Sequence, residues 1–288
     1  MQWSAAAVLL GRAWQHLYWD APYRTLFWDQ EWMEGPVRWL LGVDWATYAT
    51  SPATDLFVQW AVWGTGLFYL LGALSAAFIH KAGAAGRSVL YLSSISLLFL
   101  AGLYCKEKFF FAGQFFEYTL QFASPALLAW AAARTARLEE APIRWALAIG
   151  IALTFTCHGL YAFGYYPRPG QFVFMTMSIL GVDDNTAVQF LIVAGALDFV
   201  LSAFIFLPAK WARPFVGYAV LWGLATTLAR PLAYAQVAAW DTVLLQWLHE
   251  AVMRAPHFLL PLALLLIVGQ QSPSLPRPLQ LALRPDRA

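Results

Sequence analysis

Long runs of apolar residues, each broken by a short polar group, set the pattern of this chain. Eight runs reach or approach the roughly 20 apolar residues that cross a bilayer. They are 5–18, 55–79, 88–105, 109–133, 145–165, 188–207, 214–228 and 244–268. The first is short and carries Arg12 and His16. Between Asp20 and Thr54 lie Pro22, Pro36 and Pro52, the acids Asp29, Glu31, Glu34 and Asp44, and five tryptophans from Trp19 to Trp45. That mixture predicts short amphipathic helices in the membrane interface. A second short apolar piece, 172–180, sits in the loop before the sixth run.

The expected fold is therefore all-α and polytopic: about eight transmembrane helices plus interfacial helices. A duplication is expected as well. Leu41-Gly42-Val43-Asp44 matches Leu180-Gly181-Val182-Asp183, and Val58-Gln59-Trp60 matches Val188-Gln189-Phe190. Each match lies in the same order relative to four apolar runs. The boundary falls in the polar 134–144 connection, giving a four-helix half over 1–138 with its Trp-rich segment at 20–54. A second half follows over 139–270, then a Pro-rich tail expected to be flexible over 271–288. Such repeats would be parallel, since each half holds an even number of spans.

Composition agrees with a membrane chain. Of 288 residues 60% are hydrophobic and 12% charged, and the mean hydropathy is +0.57, whereas soluble domains carry about 25% charged residues. A net charge of +2 is too small for a nucleic-acid partner. No basic stretch precedes the first apolar residues, so no cleaved signal peptide is expected. Lys81, Arg87, Arg134, Arg137, Arg144, Lys210, Arg213, Arg277, Arg284 and Arg287 fall on the side of the termini. That majority predicts cytoplasmic termini in a bacterial inner membrane.

Polar residues inside the runs carry the candidate chemistry, because each is costly in lipid. Helical spacing aligns Arg12, His16 and Asp20, then Gln114, Glu117, Gln121 and Ser124. It also aligns Thr154, His158, Tyr161 and Tyr165, then Gln246, Glu250, Arg254 and His257. Asp198 is alone at the centre of its run. Any one of these could be a satisfied core group: a lone core histidine, an intrahelical Glu250–Arg254 pair, or a carboxylate locking helices. Four stripes in equivalent helices point instead to a shared polar cavity toward the outer leaflet. His158, Glu250, His257 and Asp198 are the candidate catalytic residues. Arg254, Arg230, Glu117, Gln121, His16 and Arg12 are the candidate ligand-binding ones, with Arg230 at the rim. Glu250 is expected to touch Arg254, and Asp198 to meet His158 or Arg254. No HExxH, CxxC, GxGxxG or P-loop pattern occurs, and Cys105 and Cys157 have no metal-site spacing; no metal is assigned.

Residues 144–213 resemble the DoxX/DoxD-like superfamily of four-helix membrane proteins. The resemblance rests on His158-Gly159-Leu160 near a helix end, Phe163-Gly164 and Pro169-Gly170 in the following loop, and the Leu180-Gly181 turn. A helix with a central acid, Asp198, and a basic turn ending at Arg213 complete it. The family's acid is commonly glutamate, and the arginine that would precede His-Gly lies further back here, at Arg144. The resemblance implies a four-helix fold and a place in redox systems, with a quinone as the implied cofactor. Three functions remain open: a quinone- or electron-transfer-linked component, a carrier of a small polar or lipid-like solute, and a non-catalytic subunit that docks a partner protein.

Overall fold

The computed structural model describes residues 1–133 and 141–270. The polar connection at 134–140 and the tail at 271–288, where a half boundary and a flexible tail were expected, lie outside the described residues. Among the described residues there are fourteen helices: α1 (Gln2–Tyr18), α2 (Arg24–Phe27), α3 (Gln30–Leu41), α4 (Trp45–Thr50), α5 (Pro52–Ala77), α6 (Ile79–Glu107), α7 (Ala112–Glu117), α8 (Thr119–Ala133), α9 (Ala141–Phe163), α10 (Gly170–Leu180), α11 (Asp184–Phe204), α12 (Ala209–Tyr234), α13 (Trp240–Met253) and α14 (Pro256–Gln270).

Five stretches are long and apolar enough to cross a membrane: Pro52–Ala77, Ile79–Glu107, Ala141–Phe163, Asp184–Phe204 and Trp240–Gly269. Large apolar side chains stand outward along them and on α12, including Leu67, Ile95, Val193 and Leu221. Water would not tolerate so continuous an apolar exterior, whereas hydrocarbon does. The chain is a helical membrane protein.

Punctuation at the helix ends is local and legible. Gly42 (φ 69°) and Gly181 (φ 65°) close α3 and α10 in the left-handed region that glycine tolerates. Two residues later Asp44 and Asp183 cap α4 and α11, accepting from the backbone N–H groups of Thr47 and Thr186.

Two long helices are interrupted, for different reasons. Between α13 and α14, Pro256 lacks the N–H that would bond to the Val252 carbonyl, which accepts instead from Ala255 N–H at 3.1 Å. Arg254 is left as the cap of α13. Between α7 and α8, Thr119 Oγ1 donates to the Phe116 carbonyl (2.6 Å), and Leu120 N–H donates to Thr154 Oγ1 of α9 (3.2 Å). Side chains thus take over groups that would have continued the ladder.

Packing follows a repeated scheme. α1 lies on α5 as α9 lies on α11, and α6 lies on α8 as α12 lies on α14. Across the two sets, α1 meets α13 while α9 meets α7. Glycines allow the tightest crossings. A Cβ on Gly195 would lie 2.8 Å from the Gly159 carbonyl, and one on Gly66 2.9 Å from the Cβ of His16. The two apolar cores interlock: Met253 packs into the core built on α1, α5 and α6, whereas Leu120 and Leu127 pack into the one built on α9, α11, α12 and α14.

Candidate functional site

A cavity of about 280 Å³ opens between α9, α10, α11, α12 and the α13–α14 junction. Phe155, Phe172, Phe190, Trp222 and aliphatic side chains form most of its wall. Four ionisable side chains also line it: His158, Asp198, Arg254 and His257. An apolar pocket with a few converging polar groups is the usual form of a small-molecule site.

The broken helix positions two of these groups. Because α13 ends at Arg254, its carbonyl accepts from His257 N–H and from His257 Nδ1, the latter at 2.9 Å. A carbonyl can only accept, so the proton is on Nδ1 and Nε2 of His257 presents a lone pair. His158 packs edge to face on His257, with ring centroids 5.4 Å apart. Its Nε2 is buried and has no hydrogen-bond partner among the described residues. Behind this pair lies Glu117, the last residue of α7. Its carboxylate is 3.8 Å from Arg254 Nη2 and 3.9 Å from His158 Nδ1. One acid therefore stands between two cationic or potentially cationic groups from two other helices.

Asp198 is 1% exposed. Its donor is the Tyr218 hydroxyl of α12, at 3.2 Å. The expected partners His158 and Arg254 line the same cavity but do not bond to it. A Cβ on Gly159 would sit 3.2 Å from the Asp198 Cβ, so the missing side chain at Gly159 is what lets α11 bring the acid this close to α9.

The other candidates lie elsewhere. Glu250 pairs with Arg230 of α12 and not with Arg254, which corrects the expected intrahelical pair. Arg230 also donates to Gln171 Oε1 of α10 (2.6 Å) and lies over the Trp247 ring. Neither Glu250 nor Arg230 lines the cavity. Arg12, 2% exposed, belongs to a separate network between α1, α6 and α8. It donates to Gln121 Oε1 at 2.6 Å, Gln15 Oε1 at 2.7 Å and the Tyr104 hydroxyl at 3.2 Å. It also lies 5.3 and 5.2 Å from the ring centroids of Tyr104 and Tyr118, where cation–π attraction helps to offset its burial. His16 Nδ1 donates to the Arg12 carbonyl, and its ring packs edge to face on Tyr69 and Tyr23. Arg12, Gln121 and His16 are thus part of the first core and not of the cavity.

Of the expected residues, the structure brings His158, His257, Arg254 and Asp198 together, with Glu117 directly behind. Sequence spacing missed Tyr218, Trp222 and Gln171. Tyr218 and Trp222 share a helical face at i and i+4 with no charge to mark it, and Gln171 sits in what reads as a loop.

Compared with models of known families, with curated proteins and with solved structures, the chain matches none of them.

Proposed function

We propose that the protein is a DoxX-like membrane component that binds a lipid-like molecule with a compact polar head, of the quinone class, and serves an electron-transfer system. The observation that carries this reading is the cavity itself: an aromatic and aliphatic pocket at whose polar end His158, His257, Arg254 and Asp198 converge. His257 offers an acceptor, Arg254 a fixed donor, and Asp198 a carboxyl held by Tyr218. Such a set can bind a head that both donates and accepts hydrogen bonds, and can take up or release its protons. Glu117 stands next in line behind His158. When bound, a quinone would supply the electron chemistry; the chain's part is to orient the head and hold protons beside it.

The same reading takes the chain as two parallel four-helix halves with eight spans and both termini cytoplasmic. The matched pairings of α1–α5 with α9–α11 and α6–α8 with α12–α14 support it. So does Phe122-x-x-Pro125-x-x-Leu128 in α8, which recurs as Phe258-x-x-Pro261-x-x-Leu264 in α14. In the first half, the surroundings of His16 are filled by Tyr23 and Tyr69, and the pocket described there is an open polar one at Gln15, Arg24 and Glu107, away from His16.

A carrier of the same kind of molecule is the second reading. It is favoured by the interruptions at Tyr118 and at Arg254–Ala255, since transporters build binding sites at breaks in spanning helices.

The test is direct. A short-chain ubiquinone analogue is equilibrated with detergent-purified protein and with His257→Ala and Asp198→Leu variants. Saturable binding to the parent that both folded variants lose is expected. No binding, or equal binding by all three, contradicts the quinone reading.

A further inference from the structure

The route into the cavity is visible in its wall. Apart from the small Ala225, four residues both line the cavity and stand on the outer surface: Ile179 and Leu180 of α10, Phe190 of α11 and Leu232 of α12. They are 41%, 49%, 38% and 44% exposed. All four are large and apolar. They bound an opening in the side of the bundle, where Val193 and Leu228 are also exposed and apolar. The polar end is deeper. Asp198 lies eight residues along α11 from Phe190, a rise of about 12 Å.

A solute arriving from water would have to shed its hydration before passing about 12 Å of apolar wall. A molecule already dissolved in hydrocarbon has no such loss. The volume, about 280 Å³, holds a single compact head and leaves any long tail in the opening.

We propose that the cavity is loaded sideways from the bilayer by a membrane-dissolved, single-tailed amphiphile, which passes head first between α10 and the α11–α12 pair. This rests on the reading of the cavity as a ligand site. It adds the source of the ligand, its route and the residues that control entry.

α10 forms one side of the opening, and two polar ties to α12 fix it. Gln171 at its start accepts from Arg230, and Ser178 near its end donates to the Ala233 carbonyl at 2.9 Å. Glu250 of α13 in turn holds Arg230. Arg230 and Glu250 are thus positioning residues for the side wall, which gives the pair a role although neither reaches the cavity. Glycines bound the segment: Gly164 (φ 97°) before α10 and Gly181 (φ 65°) after it.

The test uses the full chain in liposomes, with Cys105 and Cys157 replaced by serine and Thr226→Cys as the single thiol in the cavity. A long-chain alkyl maleimide dissolved in the lipid is compared with a sulfonated maleimide in the water. The alkyl reagent is expected to label about tenfold faster or more, since the apolar wall excludes the charged one. Leu232→Trp is expected to slow alkyl labelling by a similar factor, and Gln171→Ala to speed it. Ile179→Trp closes the same opening from α10 and replaces Leu232→Trp if that variant does not fold. Equal labelling by the charged reagent, or alkyl labelling unchanged by either tryptophan, overturns lateral entry. Fast, tryptophan-sensitive alkyl labelling in a protein that binds no quinone analogue supports the route while removing the quinone reading.

Discussion

Asp198 illustrates how the residue scale departs from charge counting. A donor from another helix was expected for this carboxyl, with His158 or Arg254 as candidates; the donor is on another helix, but it is the hydroxyl of Tyr218. A neutral donor satisfies a buried acceptor without bringing a second charge into the bundle. Tyr218→Phe removes that hydroxyl donor and is expected to cost about 1–3 kcal/mol. Asp198→Asn keeps an acceptor for Tyr218 and is expected to cost less. Thermal unfolding in detergent ranks the two variants, and the reverse order would show that Tyr218 is not the partner that matters. The Glu250 pairing failed for a different reason. The helix still runs from Glu250 to Arg254, whose N–H bonds back to the Glu250 carbonyl, but each side chain meets a group from another helix, Glu250 the Arg230 of α12 and Arg254 the Glu117 of α7. Pro256, where the helix breaks, lies within the run 244–268, which the sequence pattern carries straight through. Its consequence, a free Arg254 carbonyl that orients His257, depends on the three-dimensional course of the break.

At the scale of elements, most of the bundle was legible. The expected runs 145–165 and 188–207 correspond to α9 and α11 with ends shifted by a few residues. The run 214–228 was drawn too short, because Pro214 and Pro231 read as boundaries while α12 runs from Ala209 to Tyr234. Both prolines lie inside α12, where each gives up one backbone hydrogen bond without ending the helix. The repeated Leu-Gly-Val-Asp is explained first by local physics: a left-handed glycine ends one helix and an aspartate starts the next. As a sign of duplication it is therefore weaker than the matched helix pairings. The cap itself is testable. The Thr186 backbone N–H holds the Asp183 carboxyl below its ordinary 3.8. A depressed folded-state pKa contributes stability above the unfolded value, lost as pH falls through the folded one. The protection of the Thr186 amide, its exchange rate relative to the unstructured peptide, should fall as pH drops below 3.8 and through the lower folded-state value, and Asp183→Ala should show that faster exchange already at neutral pH. Unchanged exchange in the variant would contradict the cap.

The α9–α11 crossing gives a second element-scale prediction. Gly195→Ala drives a Cβ into the Gly159 backbone and should cost about 1–3 kcal/mol as overpacking. Gly217→Ala, on α12 with nothing within 4 Å of the added atom, should be neutral or slightly stabilising. Thermal midpoints of the pair separate close packing from general helix propensity. Equal midpoints would contradict the tight crossing.

For the whole molecule, the apolar exterior was plain from composition, whereas the site was only half legible. Stripes said nothing of which way each one faced, and none marked α12, which supplies Arg230 and Tyr218. Arg12 and Gln121 turned toward each other, Glu250 turned to Arg230, and only His158, His257, Arg254 and Asp198 met at the cavity. Topology remains a property of the whole chain. With eight spans, thiols introduced at Lys210 and Asp184 should react from opposite faces of sealed vesicles, the first from the cytoplasmic face. Reaction from one face would remove that arrangement.

The central claim is that the cavity holds a lipid-like molecule. Mass spectrometry of small molecules retained by gently purified protein, compared with a folded Ala229→Phe variant, tests it most directly. Ala229 lines the cavity, so the larger side chain fills it without touching a polar group. The account predicts a retained single-tailed molecule with a polar head in the parent and its loss in the variant. The same molecules in both, or none in the parent, would contradict it.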